Sequence, residues 1–168
     1  MRINNMSYIK KISLTAIFTA VAYVLSIFLN IPYLSGAGYI QFSDALGVFV
    51  SIILGPWYGA FVSAISASLS DLTLGMAQFI PFTIVAKMAI NVFVGCLYPK
   101  VNKKMSWLIL VIGVFLQIPV YFISYVIYFG IGAYLSSVFD LIQWVVTVAV
   151  TYGLLLIFQK TILPRYRK

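Results

Sequence analysis

The chain has 168 residues, of which 63% are hydrophobic and only 8% are charged, and this composition is typical of an integral membrane protein rather than a soluble domain. The net charge of +8 comes from basic residues between hydrophobic runs, where membrane orientation explains them better than a nucleic acid partner does. With one cysteine and no histidine, we expect neither a disulfide framework nor a metal site.

Hydrophobic stretches of helical length follow one another along the whole chain. We therefore predict an all-α integral membrane protein with one domain over residues 1–168 and six transmembrane helices, because a spanning helix needs about 20 mostly apolar residues. The predicted helices cover 12–31, 43–55, 57–71, 80–98, 107–129 and 138–159. The first run is too long for the apolar region of a signal peptide and lacks a small-residue cleavage site, so we interpret it as helix 1.

Helix 1 carries two small residues, Ala16 and Ala20, four positions apart. Small residues at this spacing let the backbone of another helix approach closely. The spacing alone leaves open whether that helix belongs to the same bundle or to a partner protein.

The next stretch, 30–43, contains proline and glycine but no charge, so we predict a long loop. Asp44 then stands at the predicted start of helix 2, where a carboxylate caps a helix and is favoured by its macrodipole. A Gly55-Pro56 turn leads directly into helix 3. Small residues line one face of helix 3, which predicts a central position in the bundle, and they are Gly59, Ser63, Ser66 and Ser70.

Polar residues recur on single faces of the last three predicted helices. Lys87 and Asn91 form an i, i+4 pair on helix 4, and Pro119 predicts a kink in helix 5. Gln117, Tyr121, Tyr125 and Tyr128 form a stripe on helix 5, and Asp140, Gln143, Trp144, Thr147 and Thr151 share one side of helix 6. Ionisable residues inside apolar helices are costly in a bilayer and therefore indicate function.

Charge distribution predicts the orientation of the chain. Every basic residue except Lys87 lies in the N-terminal segment, in the loop between helices 4 and 5, or in the C-terminal tail, whereas the three loops on the other side have none. By the positive-inside rule both termini are cytoplasmic. Asp44, Asp71 and Asp140 then lie near the outer ends of helices 2, 3 and 6, which predicts a polar pocket open to the outside.

The chemistry of this pocket favours binding over catalysis. The chain has no histidine or glutamate for proton transfer, no local nucleophile motif and no P-loop. We therefore predict no catalytic residues and no cofactor within this chain.

Four motifs within 39–87 carry a family resemblance. They are YIQFSD from Tyr39, LGPWYG from Leu54, SLSD ending at Asp71, and PFTIVAK ending at Lys87. This block resembles the one that marks the riboflavin and hydroxymethylpyrimidine branches of the substrate-binding S-components of energy-coupling-factor (ECF) vitamin transporters. The Ala16-x-x-x-Ala20 pattern is similar to the docking motif of that family. The resemblance is strong over 12–98 and weaker afterwards.

The resemblance implies a six-helix bundle like that of the riboflavin S-component, in a bacterial plasma membrane. It implies capture of a water-soluble vitamin or precursor, docking through Ala16 and Ala20 on a membrane T-component, and delivery by toppling of the whole S-component. Two partner ATPases would use the ATP. The implied pocket lies between outer loops and helices 4 to 6. The residues that match it are Lys87, Asn91, Tyr121, Tyr125, Asp140, Gln143 and Trp144.

Stacking faces and paired hydrogen-bonding groups among these residues suit a small planar heterocycle, such as hydroxymethylpyrimidine or a pyridoxine-like ring. Lys87 leaves two interpretations open, because it would hold the carboxylate of a substrate such as pantothenate or pair with Asp71 inside the bundle. Trp144 is equally open, since tryptophan is also common at membrane interfaces. Riboflavin is a further candidate, and a stand-alone small transporter or an intramembrane enzyme remain rival classes.

Overall fold

The structure, a computed structural model, describes residues 6–33, 38–130 and 133–161. Within these ranges the chain forms a helical bundle with one short β-hairpin. The elements are α1 Tyr8–Phe28, β1 Asn30–Tyr33, β2 Gly38–Gln41, α2 Asp44–Ile53, α3 Pro56–Thr73, α4 Ile80–Leu97, α5 Lys103–Phe115, α6 Gln117–Phe129 and α7 Ala133–Thr161. Single 3-10 turns at Ala77–Phe79 and Tyr98–Lys100 flank α4.

Several of these helices are long enough to span a membrane. Among the described residues, 4 stretches have the length and apolar composition of a spanning helix, and they are Tyr8–Phe28, Ala77–Lys100, Met105–Phe129 and Ser137–Lys160. The 10 residues of α2 extend only about 15 Å, half of a ~30 Å hydrocarbon core. The predicted membrane bundle is thus confirmed, whereas six complete spans and the orientation stay predictions.

Helix α3 lies in the middle of the bundle, packed against α1, α2 and α4. Its contact with α2 is close because small residues face each other. A Cβ atom placed on Gly59 would lie 2.5 Å from the backbone nitrogen of Ser51, and one placed on Gly47 would overlap the hydroxyl of Ser63. The turn between the two helices uses Gly55 with a φ of 131°, a conformation that favours glycine.

The segment 30–43 is the main departure from the predicted all-helical fold. Strands β1 and β2 pair antiparallel, with Asn30 opposite Gln41 and Tyr33 opposite Gly38, and residues 34–37 between them lie outside the described ranges. The prediction of a plain loop was therefore wrong. Short strands that contain proline and glycine give no clear alternating pattern, and this hairpin packs against α1 and α7 rather than standing alone.

The fifth predicted helix is broken in two. Helix α5 ends at Phe115 and α6 begins at Gln117, with the Leu116 amide bonded to the Gly113 carbonyl at 3.2 Å. Pro119 has no N–H to donate to the carbonyl four residues earlier, so the regular helix cannot continue through this point. The kink predicted from Pro119 is thus present as a break three residues before it.

Apolar and polar interiors occupy opposite ends of the bundle. The large apolar cluster includes Ile52, Val94 and Leu110, which lie towards the end with the lysine-rich α4 to α5 connection. A small cluster of Met76, Phe79 and Tyr125 lies beside the hairpin. We call the latter end of the bundle the hairpin end, and the polar side chains gather there.

Candidate functional site

A polar cavity lies at the hairpin end, between β2, α2, α3, α4, α6 and α7. Its lining residues are Tyr39, Gln41, Asp44, Asp71, Met76, Phe79, Thr83, Lys87, Tyr121, Tyr125, Asp140 and Gln143. The cavity volume is about 50 Å³, which is room for a few water molecules. A ring-sized ligand therefore requires the lining to move outward.

One ion pair lies at the floor of the cavity. The Lys87 Nζ donates to Asp44 Oδ2 at 2.6 Å, and the two side chains are only 5% and 6% exposed. Asp44 Oδ2 also accepts from Gln143 Nε2 at 2.9 Å, and the Lys87 ammonium lies 5.3 Å from the centre of the Tyr121 ring. The partner of Lys87 is thus Asp44, and the alternative pairing with Asp71 was wrong.

Asp71 instead holds the hairpin against α4. Its Oδ1 accepts from the Tyr39 hydroxyl and its Oδ2 accepts from Thr83 Oγ1, both at 2.6 Å. Burial raises the pKa of the Tyr39 hydroxyl above its ordinary value, and the Asp71 carboxylate raises that pKa further. Tyr39 therefore stays protonated and keeps its role as a donor to Asp71.

Gln143 on α7 fastens the hairpin from the other side. Its Oε1 accepts from the Gln41 backbone N–H at 2.7 Å, and its Nε2 donates to the Gln41 carbonyl at 2.6 Å. The side-chain amide thus satisfies both backbone groups of Gln41, as an adjacent strand would. Because β2 forms one wall of the cavity, this contact holds that wall against α7.

The family model for the ECF-type riboflavin transporter S component matches residues 6–161, which is nearly the whole chain. The chain belongs to this family. It is therefore a membrane transport subunit and not an enzyme, which confirms the resemblance inferred from 39–87.

Two relatives extend this comparison. The S-component is 28% identical over 144 residues to a Pyrococcus woesei protein described as "Uncharacterized protein in gap 3'region", covering 84% of this chain and 96% of the relative. It is 26% identical over 157 residues to "Thiamine precursor transporter HmpT" of Lactococcus lactis subsp. cremoris (strain MG1363), covering 93% of this chain and 88% of the relative.

Most of the predicted substrate-binding residues meet in the cavity. The S-component brings together Lys87, Tyr121, Tyr125, Asp140 and Gln143. The rings of Tyr121 and Tyr125 are stacked with 6.2 Å between their centres and 21° between their planes. These side chains come from three different helices, α4, α6 and α7, so the packing of the bundle brings them together.

Asn91 and Trp144 lie outside the cavity lining. Asn91 is one turn below Lys87, and its Nδ2 donates to Ser63 Oγ at 2.9 Å and to the Lys87 carbonyl at 2.7 Å. The Trp144 indole donates to the Val111 carbonyl at 2.8 Å and packs edge-on against Phe115. In the structure Asn91 thus joins α4 to α3, and Trp144 joins α7 to α5.

Sequence reasoning missed the contribution of the hairpin. Tyr39 and Gln41 both line the cavity, two positions apart on β2. Side chains two positions apart on a strand point to the same face, so the Tyr-x-Gln spacing was a usable signal once a strand was considered. Asp44 was open to two interpretations, a helix cap or a group near the polar pocket; it lines the cavity, and the helix start shows no side-chain capping bond.

The predicted docking residues lie on a different surface. Ala16 and Ala20 are exposed and line an apolar groove of about 680 Å³ between α1 and α3. Larger apolar side chains from α3, including Phe61 and Ile65, form the opposite wall. Ala16 and Ala20 therefore face outward from the bundle.

Proposed function

We propose that this S-component captures a small, planar vitamin precursor at the outer face of a bacterial plasma membrane. Hydroxymethylpyrimidine fits best, and a pyridoxine-like ring is the alternative. The observation that carries the proposal is the polar cavity, which is lined by the hairpin and by the stacked Tyr121 and Tyr125 rings. Buried aromatic faces beside a few hydrogen-bonding groups suit a flat polar ring.

Size and charge favour this substrate over the other candidates. A cavity of about 50 Å³ must open much further for the three fused rings of riboflavin than for a single ring. Lys87 is already paired with Asp44 at 2.6 Å, so a substrate carboxylate such as that of pantothenate would have to compete for it. The name of the Lactococcus relative, a thiamine precursor transporter, supports the pyrimidine.

The proposed orientation follows from the two ends of the bundle. Lys10 and Lys11 at the start of α1, Lys100 after α4 and Lys160 at the end of α7 lie at the end opposite the hairpin. Basic residues favour the cytoplasmic side. Both termini are then cytoplasmic and the cavity faces outward, as substrate capture requires.

Transport itself would need partners, because the chain has no nucleotide-binding motif. We infer docking of Ala16 and Ala20 on a T-component that is driven by two ATPases, with ATP used only by those subunits. Toppling of the S-component would then deliver the substrate inward. The exposed α1 to α3 groove supports docking over a stand-alone transporter, since it leaves the small face of α1 accessible within the membrane.

A thermal-shift panel with the purified S-component tests the proposal. The ligands are hydroxymethylpyrimidine, pyridoxine, pantothenate and riboflavin, with an unrelated sugar as the control. A ligand that binds only the folded state stabilises it by about 2.7 kcal/mol at 100 times its Kd, so a tight ligand raises the melting temperature. We expect the largest rise with hydroxymethylpyrimidine. The proposal is overturned if no vitamin or precursor raises the melting temperature above the sugar control.

A further inference from the structure

Two hydrogen-bond acceptors on the cavity wall lack partners. Gln41 Oε1 and Asp140 Oδ2 are buried, and neither has a hydrogen-bond partner among the residues that the structure describes. Both residues line the polar cavity. A buried acceptor without a partner is costly, so these two oxygens mark positions where a ligand would supply donors.

Three donors in the lining, those of Lys87, Gln143 and Tyr39, are already engaged. Lys87 donates to Asp44, and the Gln143 amide donates to Asp44 and to the Gln41 carbonyl. The Tyr39 hydroxyl donates to Asp71. The cavity thus presents open acceptors beside occupied donors, which is the complement of a ligand rich in N–H groups.

Charge leads to the same conclusion. The lining carries the carboxyl groups of Asp44, Asp71 and Asp140 but only one ammonium group, that of Lys87. Lys87 pairs with Asp44, and Asp140 has no ion pair within the described ranges. Among the residues that the structure describes, the Asp140 carboxylate receives one long hydrogen bond, 3.3 Å from the Tyr125 hydroxyl. A buried carboxylate is stabilised by a cationic partner, and a negatively charged ligand would be repelled here.

We propose that Asp140 and Gln41 select a heterocycle whose amino group stands beside a protonatable ring nitrogen. The ring N–H and the amino N–H groups donate to Asp140 Oδ2 and Gln41 Oε1, and the protonated ring supplies the positive charge that Asp140 lacks. This inference rests on the proposed capture function and specifies its substrate class. An aminopyrimidine belongs to the class, whereas pyridoxine, riboflavin and pantothenate do not.

Calorimetric titration of the purified S-component with two pyrimidines tests the inference. One is hydroxymethylpyrimidine with its ring amino group, and the other is the same ring with a carbonyl in place of that group. We expect the wild type to bind the amino ring at least ~10-fold more tightly. In the other ring the carbonyl oxygen is an acceptor, and it would face the acceptor oxygens of Asp140 and Gln41. Equal affinities for the two rings would overturn the inference.

Three variants test which residues cause the preference for the amino ring. We expect Asp140→Asn, which can donate to the carbonyl ring, to reduce the preference to less than ~3-fold. Gln41→Leu should weaken binding of the amino ring by ~5-fold or more. Thr151→Val, on α7 below the cavity, is the control and should keep the wild-type preference. An Asp140→Asn protein with an unchanged preference would overturn the role of Asp140. If that variant does not fold, the affinities of the wild type for the two rings test the inference by themselves.

The thermal-shift panel of vitamins and precursors also distinguishes failure of this inference from failure of the proposed function. If a small ring without the amino grouping, such as pyridoxine, binds most tightly and is insensitive to Asp140→Asn, the capture function stands and the inference fails. If no vitamin or precursor binds the wild type, the proposed function fails.

Discussion

Gln143 and Gln41 are 102 residues apart, yet the side-chain amide of Gln143 pairs with both backbone groups of Gln41 at 2.6 and 2.7 Å. This contact ties the hairpin to α7 across the opening of the cavity. A neighbouring strand would make the same two bonds, but a side chain on a helix can release them when the helix or the hairpin moves. We therefore expect the contact to control access to the cavity.

Replacement of Gln143 should release the hairpin. Gln143→Leu leaves the Gln41 N–H and carbonyl without partners, and an unpaired buried group costs ~1–3 kcal/mol, so we expect ligand affinity to fall by ~5- to 150-fold. Hydrogen exchange should show faster exchange of the Gln41 amide. Thr151→Val is the control on the same helix. Unchanged exchange at Gln41 in a folded Gln143→Leu protein would contradict this role.

The Lys87 to Asp44 pair gives a second prediction. Removal of one partner leaves a buried charge without compensation and should destabilise the protein by ~3–5 kcal/mol, whereas replacement of both should cost much less. We expect Lys87→Met and Asp44→Leu each to lower the melting temperature and the double variant to recover most of the loss. Thermal unfolding of the four proteins in detergent measures the coupling. Additive effects of the two changes would refute a structural pair.

Much of the site could be predicted from the sequence because polar residues are conspicuous in apolar helices. Lys87, Asp140 and Gln143 interrupt long hydrophobic runs, and a bilayer permits such groups only where they find partners. The positions of the helices were equally visible, since apolar runs of spanning length have few alternative structures. The sequence could not show which carboxylate pairs with Lys87, because that depends on the distance between α4 and each of α2 and α3.

Two differences between the prediction and the structure have physical causes in the geometry of the elements. The hairpin was missed because its strands are short and because Gln143, which anchors it to α7, is far away in sequence. Trp144 was grouped with Gln143, although adjacent residues on a helix point about 100° apart. Gln143 therefore faces the cavity while Trp144 faces α5, where its indole bonds to Val111.

Orientation can be tested by cysteine labelling. Ala77 is exposed at the hairpin end, and Asn102 is exposed at the opposite end. In a background where Cys96, the only cysteine, is replaced by serine, we expect Ala77→Cys to react with an impermeant maleimide in intact cells. Asn102→Cys should react only after permeabilisation. The reverse pattern would place the cavity on the cytoplasmic side and contradict outward capture.

The last prediction concerns the exposed small face of α1. Ala16→Trp or Ala20→Trp would fill the groove between α1 and α3 and hold a partner helix away, because close helix contact depends on small residues. We expect uptake by cells that contain the whole transporter to be lost, while the isolated S-component keeps its ligand affinity. Ile17→Trp is the matched control, since Ile17 is exposed on the same helix outside the groove lining.

The two measurements distinguish docking from internal packing. Both alanines are exposed in the isolated chain, so a tryptophan there has space and should leave the melting temperature close to that of the wild type. Loss of uptake with intact binding then identifies a contact that exists only in the assembled transporter. Loss of binding together with uptake would mean that the groove supports the bundle itself, and normal uptake with Ala16→Trp and Ala20→Trp would exclude this face as the docking surface.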